Sequence, residues 1–328
     1  MTNHRPEFTS DLLTSYKSND AIAALPKIRI VHLSDLHFTT HRVLRRLGLW
    51  RGMSGHDESI CSALETEVLN LQPQLIFATG DQTTWGDRTS LAAAHKFVLQ
   101  LAWKAEVPDD HVFWIPGNHD ILIHYYCRFL RSVRAYNKVF GDVKPATMTQ
   151  SGPYKIMVYS FDSTLDRSGQ WSPMWPFVGS RGSISRDSFN RFNAAAQKHN
   201  PAEKCFKIAQ IHHHPLPIPY KTVDGVGLEL TTMTNGGTFI AYMQECGVDL
   251  VLHGHEHYPY SCRYCFDPQH PELVVAAAGS ASQARAAFNS FNYLEVVPDE
   301  RIVVNEYRYT ETGFRRESSK IFIPPNAR

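Results

Sequence analysis

Five short polar segments of this chain carry residue types that bind transition metals. They read Ser34-Asp35-Leu36-His37, Gly80-Asp81, Gly117-Asn118-His119-Asp120, His212-His213-His214-Pro215 and Gly254-His255-Glu256-His257. Together they offer carboxylate, amide and imidazole donors, a mixture that suits divalent ions of borderline hardness. Asp35, His37, Asp81, Asn118, one histidine of the 212–214 run, His255 and His257 make seven donors, too many for one ion. Two ions about 3.5–4 Å apart, sharing a bridging carboxylate, would use them all. In D-x-H and H-x-H, residues i and i+2 of an extended segment present to the same side, so Glu256 is expected to point away. Glycines ahead of Asp81, Asn118 and His255 allow tight turns, which let short side chains reach a common point.

Each segment follows an apolar run: Lys27–His32, Leu75–Thr79, Val112–Ile115, Phe206–Ile211 and Asp249–Leu252. Tyr154–Ser160 and Leu273–Ala278 are similar runs. Their length and β-branched content fit buried strands of a two-sided sheet. Helical spacing over Glu58–Leu71, Thr89–Lys104, Ile121–Phe140, Ser185–His199 and Gly237–Cys246 alternates with them, with Ser185 as a helix N-cap. The pattern predicts an α/β domain with helices on both sheet faces, and Tyr293–Val297 and Ile302–Tyr309 as closing antiparallel strands. In such sheets ligands collect beyond the carboxyl ends of strands, so the five segments should converge. No repeat or linker divides the chain, which reads as an arm over residues 1–26 and a single domain over 27–328. Ser168–Arg181, rich in proline and aromatics, reads as a long irregular loop.

D-x-H, GD, GNHD, H-H-x-P and GH-x-H, in this order at strand ends, resemble the calcineurin-like metallophosphoesterase superfamily, in particular its bacterial members. The resemblance runs from Asp35 to His257, about two thirds of the chain. It implies a four-layer α-β-β-α sandwich of two packed mixed sheets flanked by helices. It further implies that Asp35, His37 and His257 hold one metal, Asn118, His212 and His255 the other, and that Asp81 bridges. His213 is the alternative to His212. A metal-bound hydroxide would attack the phosphorus of a phosphoric ester. His119 would face the substrate and stabilise developing charge or protonate the leaving oxygen, with Asp120 orienting His119 or anchoring its loop. Four imidazole donors favour Mn²⁺ or an Fe/Mn pair over Mg²⁺, with Zn²⁺ also compatible. The resemblance leans to a small phosphodiester such as a cyclic nucleotide. A phosphomonoester follows, then a nucleic acid or lipid headgroup; a non-catalytic interaction module on the same fold is the rival of another class.

Composition narrows the setting. With 33 Lys+Arg against 32 Asp+Glu the formal charge is +1, so no stable nucleic-acid partner is expected. No apolar run is long enough for a transmembrane helix, and the first 27 residues lack an apolar signal core, so a cytoplasmic protein is expected. Six cysteines are too few for a disulfide framework, and Cys262-x-x-Cys265 lacks two further ligands for zinc. His253 is expected to be a satisfied strand residue and Asp162 a structural one; His32, His41 and His56 fall outside the pattern. Arg42–Arg51, with basic and apolar residues interleaved, reads as a solvated helix, a phosphate-binding lid or a peripheral membrane contact. Trp171, Trp175 and Phe177 could stack on a base or lipid, or fill a seam beneath their loop.

Overall fold

The computed structural model describes residues 25–40, 55–121, 125–164, 182–198, 204–217, 232–265, 267, 269–284, 286 and 288–323. Nearly all of the N-terminal arm, Arg42–Arg51 and the loop bearing Trp171, Trp175 and Phe177 lie outside the described residues. In chain order the elements are β1 (Ile28–Leu33), α1 (Glu58–Leu71), β2 (Leu75–Thr79), α2 (Arg88–Lys104), β3 (Val112–Ile115), α3 (Asn118–Ile121), α4 (Tyr125–Phe140), β4 (Ala146–Ser151), β5 (Tyr154–Ser160), α5 (Arg186–Ala196), β6 (Phe206–Gln210), α6 (Gly236–Glu245), β7 (Leu250–His253), β8 (Tyr260–Tyr264), β9 (Leu273–Ala277), β10 (Ser290–Val297), β11 (Arg301–Thr310) and β12 (Gly313–Phe322).

Side chains start three of the helices. Asp57 accepts hydrogen bonds from the amides of Ser59 and Ile60, Asp87 from those of Thr89 and Ser90, and Ser185 from that of Ser188. Each satisfies donors that a helix N-terminus otherwise leaves unpaired.

The strands form two six-stranded sheets, ordered β12-β11-β10-β1-β2-β3 and β4-β5-β6-β7-β9-β8. β1, β2 and β3 run parallel in the first, and β5, β6, β7 and β9 in the second. The alternation of side chains along each strand sorts three apolar layers. Ile28, Ile30, Leu75, Phe77 and Leu294 of the first sheet meet Ile156, Val158, Ile208, Leu250 and Leu252 of the second. The opposite face of the first sheet, with Val31, Leu33 and Ile76, packs on Leu64 and Val68 of α1 and Val98 and Leu101 of α2. The outer face of the second, with Met157, Tyr159, Ala209 and Val251, packs on Phe192 of α5 and Phe239, Ile240 and Met243 of α6. The architecture is a four-layer α-β-β-α sandwich.

Three strands were not expected from the sequence: β4, β8 and β12. All three are sheet edges. Their segments (ATMTQS, YSCRY and GFRRESSKIF) are polar because an edge strand pairs on one side only and avoids a long apolar run. The expected helix Ile121–Phe140 is instead two, with a one-turn helix at Asn118–Ile121 ahead of Tyr125–Phe140. No helix among the described residues is long and apolar enough to cross a membrane.

Phe77 is fully buried between the sheets, so Phe77→Ala should lower stability by about 3–5 kcal/mol. Trp103 is 76% exposed, and Trp103→Ser should stay within about 0.5 kcal/mol of wild type. Urea unfolding followed by circular dichroism measures both.

Candidate metal centre

The donors lie just past the ends of β1, β2, β3, β6 and β7, strands that belong to both sheets. Where β1 and β2 end, their loops stay hydrogen-bonded. The amides of Asp35, His37 and Phe38 donate to the carbonyls of Gly80, Asp81 and Gln82 at 3.1, 3.0 and 2.9 Å. The amide of His255, carried by the second sheet, donates to Asp35 Oδ2 of the first at 3.0 Å. The amide of His119 donates to Asp81 Oδ1 at 2.7 Å. Backbone groups thus aim the carboxylates before any ion is considered.

Eight described residues other than glycine have left-handed φ, and five of them are Asp35 (52°), His37 (53°), Asp81 (50°), His255 (81°) and His257 (53°). Such conformations cost of order 1–3 kcal/mol each and persist where the surroundings over-determine them. Here each one turns a side chain inward at a strand end. Gly117 answers a second demand, since a Cβ there would overlap the Asp81 carboxylate and amide.

Among the described residues three groups of donor atoms each gather within 4.8 Å: two are built from the expected donors, Asp35, His37 and His257, and Asp81, His212 and His255, and a third joins His214 and Glu256 to His255. In the first, His37 Nε2 lies 3.0 Å from His257 Nε2, which lies 3.2 Å from Asp35 Oδ1. In the second, His212 Nε2 lies 3.0 Å from Asn118 Oδ1, 3.4 Å from Asp81 Oδ2 and 3.3 Å from His255 Nδ1. His212, not His213, is therefore the histidine of the run that meets Asp81 and Asn118. His213 turns to Ser163, with Nδ1 at 2.7 Å from its hydroxyl oxygen.

These donors fit a cation on two counts. His212 Nδ1 donates to the Thr79 carbonyl at 2.7 Å, which puts the ring proton there and leaves the Nε2 lone pair facing Asp81. His37 Nε2 and His257 Nε2 face one another, so at most one of them can carry the shared proton while an ion would engage both. The electrostatics agree. Burial, together with nearby His119 and His257, lowers the His37 pKa to about 3, so its lone pair is available. Burial and the adjoining histidines 213, 212 and 214 likewise hold His255 well below the usual histidine range. Burial alone would raise Asp81, but His212 and His119 outweigh it and keep the carboxylate ionised. Burial opposes a charge on His212, yet Asp81 lifts its pKa to about 9; the position calls for positive charge.

His119 sits at the rim of this cluster, its side chain 17% exposed and its ring 4.9 Å from that of His37. Its Nδ1 donates to the Thr84 carbonyl at 3.1 Å, which leaves Nε2 4.0 Å from Asp81 Oδ2. The Asp120 carboxylate makes no hydrogen bond to the His119 ring. It is fully buried and accepts from the amides of Gln82, Thr83 and Gly117 and from the Thr83 hydroxyl, so it ties the third loop to the second. Of the two duties expected of Asp120, this geometry serves the anchor and not the orientation of His119, and its burial keeps it from substrate. Burial and the neighbouring Asp81 push its pKa up to about 7.

The remaining histidines and acids fall away from the cluster. His253 Nδ1 donates to the Gly254 carbonyl and its Nε2 accepts from Tyr260. His56 stacks on Phe38, and His32 meets the Thr79 hydroxyl. Asp162 accepts from the amide and hydroxyl of Thr164 within a turn. Sequence reasoning missed the carbonyls of Thr79 and Thr84, which set the tautomers of His212 and His119. A backbone carbonyl carries no side-chain signature, so no pattern of residue types reveals it. Thr83 was also missed, in the run GDQTTWGD. Among the described residues, Cys61, Cys205, Cys246, Cys262 and Cys265 form no disulfide.

Solved structures share this fold. A dimetal phosphatase from Danio rerio is 13% identical with a TM-score of 0.54, covering 90% of this chain and 98% of that one. A purple acid phosphatase from yellow lupin (Lupinus luteus) seeds is 12% identical with a TM-score of 0.54, covering 90% of this chain and 53% of that one. No match was found among curated protein sequences. Residues 28–259 match the family model of the calcineurin-like phosphoesterases, a span that holds all five donor segments. Sandwich, donor cluster and family match together define a metal-dependent phosphoric ester hydrolase. The chain belongs to the calcineurin-like phosphoesterase family.

Gly117→Ala should push Asp81 out of the cluster, weakening metal affinity roughly 10-fold or more, with circular dichroism reporting whether the backbone overlap also lowers stability. Titration of metal-stripped protein with Mn²⁺ against a competing chelator reads the affinity directly.

Proposed function

We propose that this protein hydrolyses a small phosphodiester, of the cyclic-nucleotide kind, at a two-metal site in which Asp35, His37 and His257 would hold one ion, Asn118, His212 and His255 the other, and Asp81 would serve both. The observation that carries the reading is the pair of donor groups, each gathered within 4.8 Å and both drawn from the strand ends of the sandwich. Bound there, two ions would supply an activated water and polarise the phosphoryl oxygens. Mn²⁺ or an Fe/Mn pair suits this donor set, because imidazole nitrogens outnumber what a hard, oxygen-seeking ion prefers.

The chain's own residues then have separate tasks. Thr79 and Thr84 fix the tautomers of His212 and His119. His119, partly exposed at the rim, holds its Nε2 toward the space where a substrate would sit. Protonated there, it gives a proton to the leaving oxygen, which an alkoxide leaving group of a diester requires. Asp120 keeps Asn118 and His119 in register with Asp81 through its bonds to the second loop. A phosphomonoesterase would use the same groups, and experiment separates the two. We place the domain over residues 27–328 and the protein in the cytoplasm, the latter on its six sparse cysteines, of which the described ones form no disulfide.

Metal removal by a chelator should abolish hydrolysis of an aryl phosphodiester, and Mn²⁺ should restore it. A higher rate on the matching monoester would overturn the diester assignment. His119→Ala should lower kcat by about 10²–10⁴-fold while both metals stay bound. The loss should be greater for a cyclic nucleotide, whose leaving alkoxide needs the proton, than for an aryl ester; wild-type turnover on both would remove His119 from catalysis.

A further inference from the structure

Glu256, between the two donor histidines of the last segment, turns out of the groups of Asp35 and Asp81 but not into solvent. Its side chain is 6% exposed, and its Oε1 lies 3.9 Å from Nε2 of His255 and 3.9 Å from Nδ1 of His214. The His214 and His255 rings stack beside it at a centroid distance of 5.8 Å and an interplanar angle of 23°. His214 is held from behind, with its Nε2 at 3.1 Å from the Thr232 hydroxyl oxygen.

His255 uses its two nitrogens differently. Nδ1 faces inward, 3.3 Å from His212 Nε2, whereas Nε2 is buried and has no hydrogen-bond partner. A neutral imidazole carries one proton and one lone pair. If Nδ1 gives its lone pair to an ion beside Asp81 and His212, the proton resides on Nε2. A buried N–H without an acceptor keeps the desolvation penalty of its proton with nothing to offset it. Closing the 3.9 Å gap to a hydrogen-bond length of about 2.9 Å takes a small rotation of the glutamate side chain.

We propose that Glu256 is the positioning carboxylate of His255, accepting its Nε2–H and so fixing the tautomer that offers Nδ1 to the ion, with His214 bracing the carboxylate from the other side. This rests on the two-metal reading above. A third ion held by His214, His255 and Glu256 is the competing use of the same atoms. It would require His255 to give lone pairs from both nitrogens at once, which only a deprotonated imidazolate can do.

The test titrates metal-stripped wild type, Glu256→Ala and Glu256→Gln with Mn²⁺ against a chromogenic chelator. Melting of each metal-free protein is followed by circular dichroism. Wild type should bind two ions. Glu256→Ala should weaken one of them by about 10–100-fold and leave the other unchanged. Glu256→Gln, whose amide oxygen still accepts a hydrogen bond, should recover most of that loss. Two wild-type affinities in Glu256→Ala would overturn the proposal. So would equal weakening of both ions with a lowered metal-free melting temperature, which marks a merely structural residue. Three ions on wild type would overturn it in favour of the third site. A wild type that binds no Mn²⁺ would overturn the two-metal reading itself, and this proposal with it.

Discussion

Two ionised carboxylates, Asp35 and Asp81, are buried among imidazoles, of which those of His37 and His255 are held neutral, and the rest of the structure answers to that arrangement. Burying a charge is costly unless it is paired or bound to a metal. Direct pairing is only partial here. Backbone amides of His255 and His119 aim one oxygen of each carboxylate, and the remaining oxygens face histidine nitrogens. Such a cluster holds positive charge, and the strain at five left-handed residues is tolerated because it delivers the donors to that point.

The inter-sheet core makes this precision affordable. Because the bond from the His255 amide to Asp35 crosses from one sheet to the other, a slip between sheets would separate the donors. Ile30, Phe77, Ile208 and Leu250, packed between the sheets, oppose any such slip. The loops add a second restraint, with the backbone bonds that continue β1 against β2 beyond their last paired residues and with Asp120 joining the second loop to the third. Rigid strand ends therefore carry the donors. The rim residue His119 sits on a one-turn helix, held by the Thr84 carbonyl with its Nε2 4.0 Å from Asp81 Oδ2.

Much of this was legible in the chain. The central strands announce themselves as short β-branched runs because both of their faces are buried. Ser185, read as an N-cap, starts its helix by local chemistry that involves only the next few residues; Asp57 and Asp87 do the same but were not read from the sequence. The polar edge strands β4, β8 and β12 escaped notice because partial exposure erases the apolar signal that betrays a buried strand. Alternation places Glu256 outside the groups of Asp35 and Asp81, although left-handed His255 and His257 break the extended segment it assumes and the glutamate stays 3.9 Å from the His255 ring. The pattern says nothing of what lies outside those groups, and there the glutamate meets His214, from a different strand end, and not water.

Residue types and spacing alone determined which donors exist, that they follow apolar strands, and that their number exceeds one ion's needs. That information is local, written in side chains within a few residues of one another. Only the tertiary structure decided that His212 rather than His213 meets Asn118, that Asp120 anchors a loop, and which nitrogen of each histidine keeps its proton. Those outcomes depend on backbone carbonyls and on contacts between residues far apart in the chain, such as His212 with Thr79. A carbonyl looks the same in every residue, so its position becomes chemical information only once the two sheets have packed.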